Sequence, residues 1–193
     1  MPDDDGSLVR MAASGHGQAF SDLLRRHGQA IHAYLARRGG RDAADDLLSE
    51  VFLRAYAGRR KYDQRWPDAR PWLYGIARNV LREYWRKALV ADPGGSQAGQ
   101  PPASDDPWPA VDARLDAAAQ VPELRRALSK LAPGDREVLL LVTWEGLTPS
   151  EVAVALGIPA GTARSRLHRA RAGMRLSLGE GPAARAAASY QEA

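Results

Sequence analysis

The sequence predicts an all-α protein with two small helical domains joined by a flexible linker. Apolar residues recur at helical spacing along most of the chain, no β-alternating run of useful length occurs, and a Pro-, Gly- and Asp-rich stretch divides the two halves. We expect the first domain at residues 16–90, the linker at 91–118, the second domain at 119–179 and a tail at 180–193.

Composition limits the classes of protein that fit. The 193-residue chain has no cysteine, which excludes disulfides, a thiolate nucleophile and a cysteine zinc site. Its acidic start, MPDDDGS, is unlike a signal peptide, and no 18-residue apolar run occurs, so we expect a cytoplasmic protein without membrane insertion. The net charge of +4 favours a polyanionic partner.

Three apolar stripes predict three antiparallel helices in the first domain. We expect Gly39 and Gly40 to end the first helix and Asp42 to cap the second. The stripes are Phe20, Leu23, Leu24, Ile31, Tyr34 and Leu35; Leu47, Leu48, Val51, Phe52 and Ala55; and Trp72, Leu73, Ile76, Ala77, Val80, Leu81 and Tyr84.

The second of these helices, DAADDLLSEVFLRAY, carries an acidic patch. Asp45 and Asp46 suit the positive end of a helix dipole, but Glu50 lies more than two turns in, where that effect has faded. Because acids repel DNA, we expect the patch to dock a protein with a basic or polar surface.

The segment from Lys61 to Lys87 combines aromatic rings with cations. It holds six of the 13 aromatic residues among seven basic residues and three acids. Single-stranded nucleic acid is bound by such surfaces, because bases stack on the rings and cations follow the phosphates. We expect Trp72 to lie in the core instead. The candidates for strand binding in and beside the loop are Tyr62, Trp66, Tyr74 and Asn79.

The stretch from Ala91 to Ala110 is a linker by composition. It has five prolines, three glycines, three aspartates and no Lys or Arg. At about 3.3 Å per residue it could span on the order of 60 Å, so the two domains need not touch. Trp108 is its one large ring, and docking within the chain and docking on a partner are both open.

The second domain is predicted to hold four helices, the last two forming a helix-turn-helix. Thr148 and Glu151 fit a capping box around a proline, so a helix begins there. Gly157 supplies the positive φ of the turn, and Pro159 starts the next helix.

The last helix separates packing from charge. Its apolar positions are Ala163, Leu167, Ala170 and Met174. No acidic residue occurs from Val152 to Gly179, whereas a solvated face generally mixes both signs. We therefore favour a helix that reads the DNA major groove over a plain surface helix. The candidate contacts are Thr162, Arg164, Ser165, Arg166, His168, Arg169 and Arg171.

These segments resemble a bacterial sigma factor of the extracytoplasmic-function (ECF) class, which has only the region 2 and region 4 domains. DDLLSEVFLRAY resembles the region 2 helix that docks on the clamp helices of core RNA polymerase, and PWLYGIARNVLREYWRK resembles the promoter-melting, minus-10 recognition helix. The stretch from Leu131 to Arg175 resembles region 4, which reads the minus-35 element. The resemblance implies a factor that binds core polymerase and promoter DNA to initiate transcription, commonly held by an anti-sigma factor.

The resemblance carries over to individual positions. It implies strand contacts by Asn79, Arg82 and Arg86, while Glu83 stands where the family usually has Asp. The implied docking face is formed by Asp45, Asp46, Leu47, Glu50 and Val51. In region 4 the matching positions are Thr162, Arg164, Ser165, Arg166 and Arg169.

Two other classes of protein share part of this pattern. An ordinary helix-turn-helix regulator has the same capped helix and basic helix, but its first half would not need stacking aromatics beside an acidic helix. A recombinase or nuclease would need clustered metal-binding carboxylates, or a nucleophilic Ser or Tyr surrounded by arginines. The one arrangement in the sequence that approaches the second pattern is Tyr74 among Arg70, Arg78 and Arg82. No Walker loop, HExxH, GxSxG or dinucleotide fingerprint occurs and the four histidines are scattered, so we expect no enzyme, metal or cofactor.

Overall fold

The computed structural model describes residues 4–63, 65–91 and 122–179. In this part of the chain every regular element is a helix, which confirms the all-α prediction. The helices are α1 (Asp5–Ala13), α2 (Gly17–Gly39), α3 (Arg41–Gly58), α4 (Arg70–Ala91), α5 (Pro122–Ser129), α6 (Pro133–Thr143), α7 (Pro149–Leu156) and α8 (Ala160–Gly179), with a 3₁₀ turn at Arg59–Lys61. All but the first residue of the predicted linker (91–118), including Trp108, and the predicted tail (180–193) lie outside the described residues.

The first domain packs α1 to α4 around one apolar core. A turn at Gly40, with φ 101°, joins α2 to α3, so the first long helix ends where the glycines predict. The predicted cap at Asp42 is wrong, because α3 begins at Arg41 and Asp42 lies within its first turn.

Helix α1 extends the first domain beyond its predicted start at residue 16. Its N-cap carboxylate, on Asp4, accepts a hydrogen bond from the backbone N–H of Ser7 at 2.7 Å. Leu8, Val9 and Ala12 are buried in the domain core. Three small or medium apolar residues between acids and glycines give too short a periodic pattern for the sequence to predict this helix.

The second domain consists of the four predicted helices, α5 to α8. Arg136 of α6 is buried and donates to the backbone carbonyls of Leu128 and Leu131, both at 2.8 Å. The Leu128 carbonyl also accepts from the backbone N–H of Leu131 at 3.1 Å, and the Leu131 carbonyl lies beyond the end of α5. The guanidinium thus fixes the α5 to α6 connection beneath the helix-turn-helix.

The two domains contact each other through α4 and α7. A Cβ atom on Gly75 would lie only 3.0 Å from the carbonyl oxygen of Ala155, so the two backbones approach closely where neither side chain is large. The domains therefore pack together, although the length of the linker would allow them to separate. None of the described helices is long and apolar enough to cross a membrane.

Candidate nucleic-acid interface

Helices α7 and α8 form the predicted helix-turn-helix. The hydroxyl of Thr148 accepts from the N–H of Glu151 at 3.3 Å, and the Glu151 carboxylate accepts from the N–H of Thr148 at 2.6 Å. The capping box is therefore complete, as predicted. Gly157 follows with φ 64° and ψ 36°, a left-handed conformation that a residue with a side chain adopts only at a cost. This turn sets the angle at which α8 leaves α7.

Helix α8 presents one apolar face and one cationic face. Ala163, Leu167 and Ala170 are buried against the rest of the second domain. The opposite face is exposed and consists of Arg164, Ser165, His168, Arg169 and Arg171, while Thr162 and Arg166 are half-buried at its edge. The sequence thus predicted correctly which side of this helix packs.

Two of the predicted DNA-binding arginines lie against the start of α6. Arg169 donates to both carboxylate oxygens of Asp135, at 2.9 and 2.8 Å, and this hydrogen bonding raises the pKa of its guanidinium. The guanidinium of Arg166 covers Gly134, where a Cβ would lie 2.9 Å from its Nη1. Among the described residues, Arg164, His168 and Arg171 make no such hydrogen bond or ion pair, so their polar groups face solvent.

The predicted docking face on α3 is partly exposed. Asp45 and Asp46 are exposed, and the Glu50 side chain is 45% exposed. Leu47 and Val51, which are also predicted to belong to this face, are buried in the domain core in this structure. Their helical spacing is that of the core stripe.

The most exposed large apolar side chain on α3 was not predicted from the sequence. The side chain of Leu53 is 65% exposed. It follows Asp46 by seven positions and Glu50 by three, so these residues share a face of the helix. A leucine at a polar-face position, outside the stripe of core residues, was the signal that could have identified it.

Two tyrosines of the aromatic segment are buried. Tyr62 donates its hydroxyl to the backbone oxygens of Trp66, at 2.6 Å, and Asp68, at 3.3 Å, and burial raises the pKa of this phenol. Tyr74 donates to the carboxylate of Glu145 at 3.0 Å and is 2% exposed. In this structure Tyr62 therefore holds the loop in place and Tyr74 belongs to the contact between domains, so both rings are covered by protein.

The remaining strand-binding candidates lie at the surface. Trp66 is half-buried against the core, and Trp72, predicted as a core residue, is also half-buried with its ring edge-on to Tyr62. Asn79, Arg82 and Arg86 are exposed on α4. Their spacing of three and four residues places them along one face of the helix.

Acidic groups of the second domain engage arginines of the first. The buried side chain of Glu145 accepts from Arg37 at 2.6 Å as well as from Tyr74. Arg78 donates to Glu137 at 2.8 Å. These groups form a polar contact between the domains, and it covers the part of the aromatic segment that includes Tyr74.

A buried carboxylate, Asp5, ties α1 to the aromatic segment. It contacts the ring of His27 at 2.7 Å, accepts from the backbone N–H of Ala69 at 3.0 Å and pairs with Arg26 at 2.5 Å. Ligand atoms of Asp5, His27 and Asp68 lie within 4.8 Å of one another, but Asp68 is bonded to Arg70 at the start of α4. These partners give the cluster a structural explanation.

The fold and these surfaces define a class of protein: a two-domain helical DNA-binding protein with a helix-turn-helix in its second domain. Residues 23–89 match the family model for sigma-70 region 2, and residues 122–174 match the model for sigma-70 region 4. The chain belongs to the sigma-70 family and is an RNA polymerase sigma factor of the ECF class.

Individual relatives support this assignment. The RNA polymerase sigma factor CnrH of Cupriavidus metallidurans is 33% identical over 181 residues, which cover 88% of this chain and 92% of CnrH. The ECF RNA polymerase sigma factor SigL of Mycobacterium tuberculosis is 31% identical over 175 residues, covering 89% of this chain and 96% of SigL.

Solved structures share the fold. CnrH in complex with the cytosolic domain of CnrY matches with a TM-score of 0.62 and 30% identity, covering 90% of this chain and 96% of that chain. The sigma factor RpoE of Bartonella quintana, in complex with the anti-sigma factor NepR, matches with a TM-score of 0.57 and 22% identity over 83% of this chain and 97% of that chain. The second likeness concerns the fold alone.

Proposed function

We propose that this sigma factor binds core RNA polymerase through α3, holds duplex minus-35 DNA with α8, and contacts the opened minus-10 strand with α4 and the loop before it. The observation that carries the proposal is the acid-free, exposed face of α8, whose opposite side is buried in the second domain. A helix held in this way suits the major groove, because its cationic face can enter while its packing face stays fixed.

The polymerase docking surface we propose combines acids with an apolar residue. Asp46 and Leu53 are exposed, and Glu50 lies between them. An exposed leucine among carboxylates suits a protein interface, since the apolar side chain can add affinity and the charges can select the partner. Asp45 adds a further acid, although His32 contacts it at 3.1 Å.

On duplex DNA, we assign base reading and phosphate contact to different parts of α8. Arg164, Ser165 and His168 lie in its first half and suit base edges, because recognition helices present their N-terminal residues to the groove. Arg171 suits a phosphate. Arg169 and Arg166 lie against α6 and suit phosphates at the edge of the groove.

For the opened strand, Trp66 is the ring best placed to stack on a base, because it is exposed in part and its backbone is held in place. Asn79, Arg82 and Arg86 follow along α4 and suit phosphates and base edges. Binding the opened strand more tightly than the duplex drives melting, so this chain supplies binding energy and the polymerase supplies the catalysis. We propose that the chain has no enzymatic activity of its own and acts in the cytoplasm with the polymerase.

A protein inhibitor is the further partner we propose. The relative CnrH has been solved with the cytosolic domain of CnrY, and its likeness to this chain extends over most of both proteins. The exposed acidic and apolar face of α3 suits such a partner as well as it suits polymerase, so the two would compete.

Core polymerase binding tests the proposed function directly. We would measure the affinity of fluorescently labelled protein for purified bacterial core RNA polymerase, beside the variant Asp46→Arg, Leu53→Arg. This pair leaves the Glu50 to Arg54 bond intact. The matched control is Asp22→Arg, Glu123→Arg, which places two arginines on other surfaces of the chain.

We expect tight binding by the wild type and the control, and at least tenfold weaker binding by the α3 variant, from the loss of about 1.4 kcal/mol or more. Equal binding by all three proteins would move the docking surface away from α3. Absence of binding by the wild type, with duplex DNA still bound, would instead favour an ordinary helix-turn-helix regulator.

A further inference from the structure

Arg54 of α3 joins the proposed docking helix to the proposed strand-binding helix. Its Nη1 and Nη2 atoms donate to the two carboxylate oxygens of Glu83 on α4, at 2.8 and 2.6 Å. Its Nε atom donates to Glu50 at 2.6 Å. Three directed bonds from one planar group fix both the position and the orientation of the Glu83 carboxylate.

Glu83 is an acid in the middle of a cationic face. It follows Asn79 by four residues and precedes Arg86 by three, so all three side chains are neighbours on one side of α4. The hydrogen bonds from Arg54 lower the pKa of Glu83, and the charges of Arg86 and Lys87 lower it further. The carboxylate is therefore ionised, and it lies within electrostatic reach of cations that a phosphate would also attract.

Without Arg54, this carboxylate would harm strand binding in two ways. It would repel the phosphates directly, and it would be free to pair with Arg86 at the helical spacing of three residues. In the structure Arg86 makes no hydrogen bond or ion pair with any other described residue, while both oxygens of Glu83 are taken by Arg54.

We propose that Arg54 is a positioning residue for promoter opening: by holding Glu83 it keeps Arg86 available to the phosphates of the opened strand. The inference rests on the proposed strand-binding function of α4. A residue of α3 thereby determines a contact made by α4.

The test compares Arg54→Met, Glu83→Gln and the double variant, each assembled with core polymerase. The probe is a fluorescein-labelled single-stranded oligonucleotide with the non-template sequence of a promoter that the wild-type holoenzyme opens, and the readout is its affinity over a range of salt concentrations. Because Arg54 lies beside the docking face, core binding is measured separately for every variant. Arg25→Met is the matched control, since it removes a cation paired with Asp22 elsewhere in the first domain.

We expect Arg54→Met to weaken strand binding about fivefold to tenfold and to reduce the log-log salt slope by about 0.7, the value for one phosphate contact on a single strand. Glu83→Gln alone should leave affinity unchanged or slightly higher. The double variant should recover to within about twofold of the wild type, because the neutral amide can no longer compete for Arg86.

If Arg54 only holds α3 and α4 together, the three variants would give a different pattern of strand affinities. Glu83→Gln would then be as harmful as Arg54→Met, and the double variant would show no recovery, which would overturn the proposal. Arg86→Ala separates this failure from failure of the proposed function: if Arg86→Ala also leaves strand affinity unchanged, the α4 face itself is not the strand-binding surface.

Discussion

The exposed face of α8 and the aromatic segment before and within α4 are both rich in arginine, yet they differ in how far the rest of the protein covers them. On α8, Arg164, His168 and Arg171 extend from a surface whose opposite side is buried. In the aromatic segment, Tyr62 and Tyr74 are buried and their hydroxyls are bonded to protein groups. One surface is complete within its own domain, whereas the other is shaped by a neighbouring domain.

The difference has a physical origin in where the covering groups come from. The face of α8 is free of acids, and at its edge Arg169 is bonded to Asp135 of α6. The partner of Tyr74 is Glu145, which is 71 positions away in the sequence and lies in the second domain. A cationic or aromatic pattern therefore indicates accessible binding groups only where no other element supplies a partner.

Removing Arg164 and Arg171 from the exposed face of α8 should produce the largest effect. The variant Arg164→Ala, Arg171→Ala is expected to bind duplex minus-35 DNA roughly a hundredfold more weakly, because two charge-assisted contacts are lost at about 1–2 kcal/mol each. Its log-log salt slope should fall by up to about 1.8, or about 0.9 for each contact that is to a phosphate. The control Arg25→Ala, Arg65→Ala removes two exposed arginines of the first domain. An unchanged affinity and slope would remove these side chains from the DNA.

Separating the domains should test whether the second domain shapes the aromatic segment. In Gly75→Leu, the Cβ would lie 3.0 Å from the Ala155 carbonyl oxygen, and neither backbone can yield without moving a helix. We expect a cost of about 1–3 kcal/mol to the contact between domains, a larger radius of gyration by small-angle scattering, and unchanged helicity by circular dichroism. Gly17→Leu is the control, since a Cβ there meets no atom within 4 Å. An unchanged radius of gyration would mean that the contact between the domains accommodates the leucine.

Sequence patterns predicted the contacts within a helix or turn better than the contacts between helices and domains. The capping box at Thr148, the turn at Gly157 and the apolar side of α8 follow from local rules, because their partners lie within a few residues. The burial of Tyr74 could not be predicted in this way, because its partner comes from another domain. The burial of Leu47 and Val51 agrees with their core periodicity, whereas their predicted role in docking came from the resemblance.

Trp66 and Tyr74 should differ in their effect on strand opening. Trp66→Ala is expected to slow promoter melting about tenfold, since stacking on one base contributes about 1–3 kcal/mol. Tyr74→Phe keeps the ring but removes the hydroxyl that donates to Glu145, so melting should be little changed. Permanganate reactivity of exposed thymines follows both variants, with duplex binding measured in parallel. Equal slowing by both would instead show that the Tyr74 hydroxyl, and with it the bond to Glu145, is needed for melting.

Replacing Asp5 should have a smaller effect, a loss of folding stability through the loop that carries Trp66. Burial raises the pKa of its carboxyl, but the hydrogen bonds from His27, the Ala69 N–H and Arg26 together lower it to about 2, from 3.8. A carboxyl whose pKa is lower in the folded state than in the unfolded state stabilises the folded state when it is ionised. Because the unfolded state takes up the proton first as the pH falls, this stabilisation is present above about pH 3.8 and is lost as the pH falls toward 2.

The amide in Asp5→Asn cannot carry this charge, so the variant should unfold with roughly 1–2 kcal/mol less free energy at pH 7. The deficit should shrink as the pH is lowered from about 4, which urea titrations at several pH values would measure. Asp22→Asn is the control, because that carboxylate pairs with Arg25 at the surface. A deficit that stays constant with pH would assign the role of Asp5 to packing and hydrogen-bond shape. A deficit that shrinks would mean that an ionised group on α1, outside the region 2 match, fixes the start of α4 and the loop before it.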